Sequence, residues 1–115
     1  WAAPVFKAAR CNDELTLSTM ADVYRESGML LDPHTAVGVS AARQIRARQE
    51  DQSGVPVVTL ATAHPAKFPA AVIKATGVHP NLPEHLADLL ERPERTNNVA
   101  NDLAAVQAFV RSVAR

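Results

Sequence analysis

The chain is poor in cysteine, in aromatic residues and in any excess of charge, and each shortage excludes something. A single thiol, Cys11, cannot form an internal disulfide, so a stapled secreted scaffold is excluded and a reducing compartment is expected. Twelve basic side chains face twelve acidic ones, which leaves no electrostatic footprint for nucleic acid or an acidic membrane surface. No apolar run approaches the roughly 20 residues a membrane helix needs, and no basic-then-apolar signal segment opens the chain. Aromatics make up 4% of the 115 residues, and 21 of the hydrophobic residues are alanine, which buries little area per residue. The 47% hydrophobic content therefore describes a globular chain with a thin apolar supply. It begins at Trp1 rather than Met, as expected of a processed product or a piece of something longer.

What is present reads mainly as helix. The first ten residues form a connecting segment broken by Pro4. Asn12 is placed as an N-cap, with Asp13 and Glu14 in the first turn, where the helix dipole favours acids. Leu17, Met20, Ala21 and Tyr24 share one face, and Gly28 ends the helix as a left-handed cap. Asp32–Pro33 is a second helix start, because proline at the first helical position lacks only an N–H that would be unpaired anyway. This helix is expected to run to about Gln49 on a small-sided face through Gly38, Ser40, Ala41 and Ala42. A solvated charged end extends to Asp51, and Ser53–Gly54 marks a turn. Further on, Pro69 to about Ala75 forms a short helix ending at Gly77. Pro83 starts another, carrying Leu86, Leu89 and Leu90 until Pro93. A final amphipathic helix spans about Asn101 to Ala114.

Residues 55–62, VPVVTLAT, are β-branched, uncharged and nearly continuous, the pattern of a strand buried on both faces. Its carboxyl end opens through Ala61–Thr62–Ala63 into a turn with two prolines. In open α/β sheets ligands bind outside such strand ends, and the Thr62 hydroxyl can donate or accept there; the plainer reading is that it caps the turn. His64 and Lys67 share that turn and His34 opens a helix, while His79 and His85 lie in and after a proline-rich loop. No pair of histidines has metal-ligand spacing with a carboxylate, so no metal site is expected. Cys11 has only Arg10 as a basic neighbour and reads as an ordinary thiol.

The segment Leu30–Leu31–Asp32–Pro33–His34–Thr35–Ala36–Val37–Gly38 resembles the LDPHTAVG motif of threonine synthases. Residues 59–69, TLATAHPAKFP, resemble the same family's LATAHPAKFP motif at the expected distance downstream. Leu82–Pro83, Ala87–Asp88–Leu89 and Asn101–Asp102 also fit that family's ending. Two motifs of this length in order are a specific signal, and the resemblance covers essentially the whole chain. It implies an α/β parent fold, fold type II of pyridoxal 5'-phosphate enzymes. The 115 residues form a single segment of the large domain, mostly α-helical with one main buried strand near 56–62.

The resemblance also implies the chemistry of the complete enzyme, which converts O-phospho-L-homoserine and water to L-threonine and phosphate in the cytoplasm. By motif match, Thr62 is the cofactor-binding residue facing the pyridine nitrogen. The family's Schiff-base lysine and phosphate-binding loop lie far upstream of these motifs. Lys7, Lys67 and Lys74 lack the right context, so no catalytic residue is expected here and the segment alone is expected to be inactive. Its expected partners are the substrate and the remainder of the same enzyme, and its strand is expected to favour self-association. The alternative is a non-catalytic helical interaction module that binds a protein through its final helix.

Overall fold

The computed structural model describes residues 5–48 and 54–114. The connecting segment through Pro4, and the Gln49–Ser53 stretch in which the second helix, its charged end and the Ser–Gly turn were expected, lie wholly or partly outside them. The chain forms two compact units, one up to Pro83 and the other from Glu84.

In the first unit, helix α1 covers Asp13–Ser27, α2 covers Pro33–Ala47 and α3 covers Pro69–Thr76. Their boundaries follow from a few side chains. The Asn12 carboxamide accepts the Leu15 N–H at 2.9 Å, and Gly28 closes α1 at φ 72°, its N–H donating to the Tyr24 carbonyl. Asp32 caps α2 with Pro33 in the first turn, and Gly77 closes α3 at φ 74°. These are the starts and stops expected from the sequence. α1 packs against both α2 and α3.

The core between them is small: Met20, Leu31, Ala36 and Val72 are buried, with Leu17, Val23, Leu30, Val39, Ala71 and Ala75 packed against them. Five polar residues are buried with these four: Thr16, Thr19, Asp32, Thr35 and Ser40. The threonines of α1 are reconciled with burial by bonding backward along their own helix. Thr16 donates its hydroxyl to the Asn12 carbonyl at 2.8 Å, and Thr19 to that of Leu15 at 2.7 Å. No buried side-chain nitrogen or oxygen among the described residues lacks a partner, as the cost of an unsatisfied buried group requires.

The expected buried strand is not formed. Residues 55–62 are extended but belong to no ladder, and the described residues contain no strand at all. Val58 and Leu60 are 81% and 76% exposed. A strand exists only where a neighbour accepts its backbone hydrogen bonds, and no other described stretch supplies one. The segment instead runs back along α2. Arg46 donates to the Val55 carbonyl at 3.3 Å, Thr59 packs at Gly38, and the Thr62 N–H reaches Thr35.

In the second unit the helix expected after Pro83 reduces to a single 3-10 turn, Glu84–Leu86, followed by further i to i−3 bonds from Leu89 and Glu91. Leu89 and Leu90 are exposed; with no apolar surface to cover, so short a segment does not recover the cost of helix nucleation. Helix α4, Leu103–Val113, is capped by Asp102, which accepts the Ala105 N–H at 2.9 Å. None of its residues is buried, and Leu103, Val106, Val110 and Val113 stand exposed. No helix among the described residues is long and apolar enough to cross a membrane.

Candidate functional site

The two segments singled out in the sequence meet in the first unit, at the N-terminus of α2. Asp32 is 1% exposed and is the hub. Its Oδ1 accepts the backbone N–H groups of His34 and Thr35 at 2.9 and 3.3 Å and lies 3.3 Å from His34 Nδ1, while its Oδ2 accepts the Thr35 hydroxyl. Burial pushes the Asp32 carboxyl up, but the combined hydrogen bonds from Thr35 and His34, side chain and backbone, outweigh it and hold the group below its ordinary value. Burial and hydrogen bonding act in opposite directions on one carboxylate, and the bonds to its charged form win. Asp32 is therefore an anchored anion at the positive end of α2, where the helix dipole also favours negative charge.

Thr35 passes this anchoring on. Its hydroxyl proton goes to Asp32, so an oxygen lone pair is left to accept the Thr62 N–H at 3.2 Å, across 27 residues of sequence. Thr62 is thus held by its backbone, while its side chain is exposed and its hydroxyl bonds to none of the described residues. In an extended chain successive side chains point opposite ways. Accordingly Ala61 and Ala63, with Asp32, Thr35, His64 and His79, line a cavity of about 620 Å³ that Thr62 does not line.

The turn after Thr62 is also tied to α2. His64 caps the 3-10 turn Pro65–Lys67, its Nδ1 accepting the Ala66 N–H at 3.2 Å. That bond leaves Nε2 to carry the proton of the neutral ring. The His34 ring packs at 4.9 Å, tilted by 50°, against Phe68, and Lys67 Nζ lies 5.8 Å from the same ring centroid.

Of the residues noted in the sequence, His34, Thr62, His64, Lys67 and His79 are brought into this one neighbourhood. Cys11 is elsewhere, its Sγ 3.3 Å from the Thr16 hydroxyl. Among the described residues no three His, Cys, Asp or Glu side chains gather as a metal would need. Asp32 and Thr35 were legible as a helix start and as part of a family motif; their part in holding Thr62 had no local signal. The arrangement is suited to presenting a neutral hydroxyl on a fixed backbone. Among the described residues it brings together no cluster of cations for a phosphate.

Comparison with known proteins shows what the chain as a whole is similar to. The fold is that of a stretch of a pyridoxal-phosphate-bound threonine synthase from Brucella melitensis, known from a crystal structure. The match has a TM-score of 0.80 and 42% identity, and covers 99% of this chain and 24% of that one. The family described as "Threonine synthase, C-terminal" matches residues 35–110. The chain belongs to that family. It is 56% identical over 110 residues to the threonine synthase of Pseudomonas aeruginosa, covering 95% of this chain and 23% of the relative. It is 35% identical over 105 residues to that of Corynebacterium glutamicum, covering 91% and 21%. The chain thus spans under a quarter of the length of these relatives.

Proposed function

We propose that the chain serves as the carboxyl-terminal portion of a threonine synthase, a single segment of that enzyme's large domain. The complete enzyme would convert O-phospho-L-homoserine and water to L-threonine and phosphate in the cytoplasm with pyridoxal 5'-phosphate. The observation that carries this reading is Thr62. It stands where the family motif sets a cofactor contact, with its backbone bonded to Thr35 and its hydroxyl free of other bonds among the described residues.

The residues present fit one part of the cofactor. A neutral hydroxyl between two alanines suits the ring nitrogen of a flat heteroaromatic group, since the small flanks admit the ring and the O–H donates to an unprotonated nitrogen. When bound, pyridoxal phosphate supplies an electron sink for the substrate's amino-acid carbons. Thr62 would temper that sink: a neutral donor does not protonate the nitrogen as a carboxylic acid would, which would favour elimination and replacement at the side chain over competing reactions. The phosphate and the covalent lysine are left to the remainder of the enzyme, and the segment alone is inactive.

The exposed 55–62 stretch supports the same reading. It has the composition of a central strand, and strands contributed by the remainder of the enzyme would pair with it. In isolation it is the natural place for two copies to associate. Thr62→Val in the complete enzyme tests the assignment. Activity and cofactor affinity should each fall by up to about tenfold, the upper worth of one neutral hydrogen bond, with the fold unchanged by circular dichroism. Unaltered kinetics with unaltered affinity would reject it. A second reading is favoured by one observation, the unburied apolar side of α4: a helical module that docks another protein there. Absence of a cofactor absorbance band and of turnover when the segment is combined with the rest of the enzyme would favour that reading instead.

A further inference from the structure

We propose that Thr35, Asp32 and Gly38 are positioning residues that set the register of the Thr62 segment along α2 and so decide which way the Thr62 side chain faces. The proposal rests on the reading of Thr62 as the contact to the cofactor ring, and adds what holds that contact in place.

Main-chain bonds are alike in every register, so neither this extended segment nor a strand it forms with the remainder of the enzyme has its register chosen by backbone pairing alone. Because its side chains alternate with a period of two, a slip of one residue would turn Thr62 into the place of Ala61 or Ala63 and present an alanine where the hydroxyl belongs. Two contacts prevent the slip. At the N-terminal turn of α2, the Thr62 N–H donates to the Thr35 hydroxyl at 3.2 Å. A backbone N–H lies across the side-chain direction, so this bond fixes rotation about the chain axis as well as position. One turn along the helix, the side chain of Thr59 occupies the space beside Gly38, where a Cβ would stand 2.9 Å from Thr59 Cγ2.

The two contacts are three residues apart on each element, 35 and 38 on α2 and 62 and 59 on the segment. Together they specify one register. Asp32 makes the first contact directional. By accepting the Thr35 proton it orients the hydroxyl so that its lone pair meets Thr62, and as a buried carboxylate bonded four ways it does not turn. A threonine here is not required for capping, which Asp32 already performs through backbone bonds; the hydroxyl's second bond is what links the two motifs.

The test compares Thr35→Val, which keeps the shape and removes the hydroxyl, with Thr35→Ser, which keeps the hydroxyl, in the complete enzyme. Two quantities are read: hydrogen exchange at the Thr62 amide in the cofactor-free protein, and the affinity for added pyridoxal 5'-phosphate followed by absorbance. Thr35→Val should speed exchange at Thr62 and weaken cofactor binding, each by about tenfold, and Thr35→Ser should restore both to within about threefold. In a Thr62→Val background, Thr35→Val should cause little further loss of affinity, because it acts through the same hydroxyl. Unchanged exchange in Thr35→Val, failure of serine to restore it, or fully additive losses would each overturn the proposal. Faster exchange with unchanged affinity in both Thr35→Val and Thr62→Val would leave the tether standing and remove the cofactor reading. Should the valine variant fold poorly, Thr35→Ala, which also removes the hydroxyl, is read in its place against Thr35→Ser, with the same outcomes deciding.

Discussion

Replacing Asp32 by alanine probes the anchor of the site most directly. The side chain caps α2 through the His34 and Thr35 N–H groups, and loss of such a cap costs about 1 kcal/mol. It also accepts the hydroxyl of the buried Thr35. Leaving that donor without its acceptor costs about 1–3 kcal/mol, softened where the hydroxyl turns to another acceptor. Relief from burying a carboxylate works in the opposite direction. The expected loss is therefore about 2–3 kcal/mol near pH 7, read from urea unfolding of the wild-type and Asp32→Ala proteins.

The pH dependence gives a sharper check. The folded state holds the Asp32 carboxyl below its ordinary value of 3.8, so the unfolded state takes up the proton more readily. Stability from this group is complete above that ordinary value and drains away as pH falls through the lower folded value. The gap between wild-type and variant should accordingly be constant from neutral pH down to the ordinary value, and narrow below it. A gap under about 0.5 kcal/mol near pH 7, or one that is the same size at about pH 2 as at pH 7, would refute the reasoning.

Two further substitutions follow from the same architecture. Gly38→Ala gains about 1 kcal/mol of helix propensity but brings a Cβ to 2.9 Å from Thr59, an overpacking that costs about 1–3 kcal/mol. Thermal unfolding should show net loss of stability, and a stabilised variant would mean that Thr59 does not rest there. Gly77→Ala meets no neighbour within 4 Å and is opposed only by its backbone at φ +74°. A loss of about 1–2 kcal/mol is expected, with Gly77→Asn milder, and equal stability of alanine and glycine in urea unfolding would count against the left-handed cap.

The helices are legible from sequence because their ends are local. Asn12, Asp32–Pro33, Gly28 and Gly77 each act within a turn of the backbone they terminate. The stretch at 55–62 is misleading for the opposite reason. Its residue types describe the surroundings a strand prefers, while a strand is a relation to a neighbour that its own residues do not encode. The segment after Pro83 fails similarly: its leucines have helical spacing, but no apolar surface covers Leu90. At the site, Thr62 is marked by its motif, yet the partner of its backbone is 27 residues away. Neither periodicity nor capping rules connect Thr35 to Thr62, since Asp32, Thr35 and Pro33 already make sense as a helix start.

The mixed core of the first unit bears on how its stability varies with temperature. Among the described residues, four buried apolar ones are accompanied by five buried polar ones. Exposing apolar surface raises the heat capacity on unfolding and exposing polar surface lowers it. Melting this core therefore yields a smaller heat-capacity increment per residue than the roughly 12–15 cal/mol/K usual for globular proteins. A small increment flattens the stability curve, so the stability of this three-helix unit should change little over a broad range of temperature.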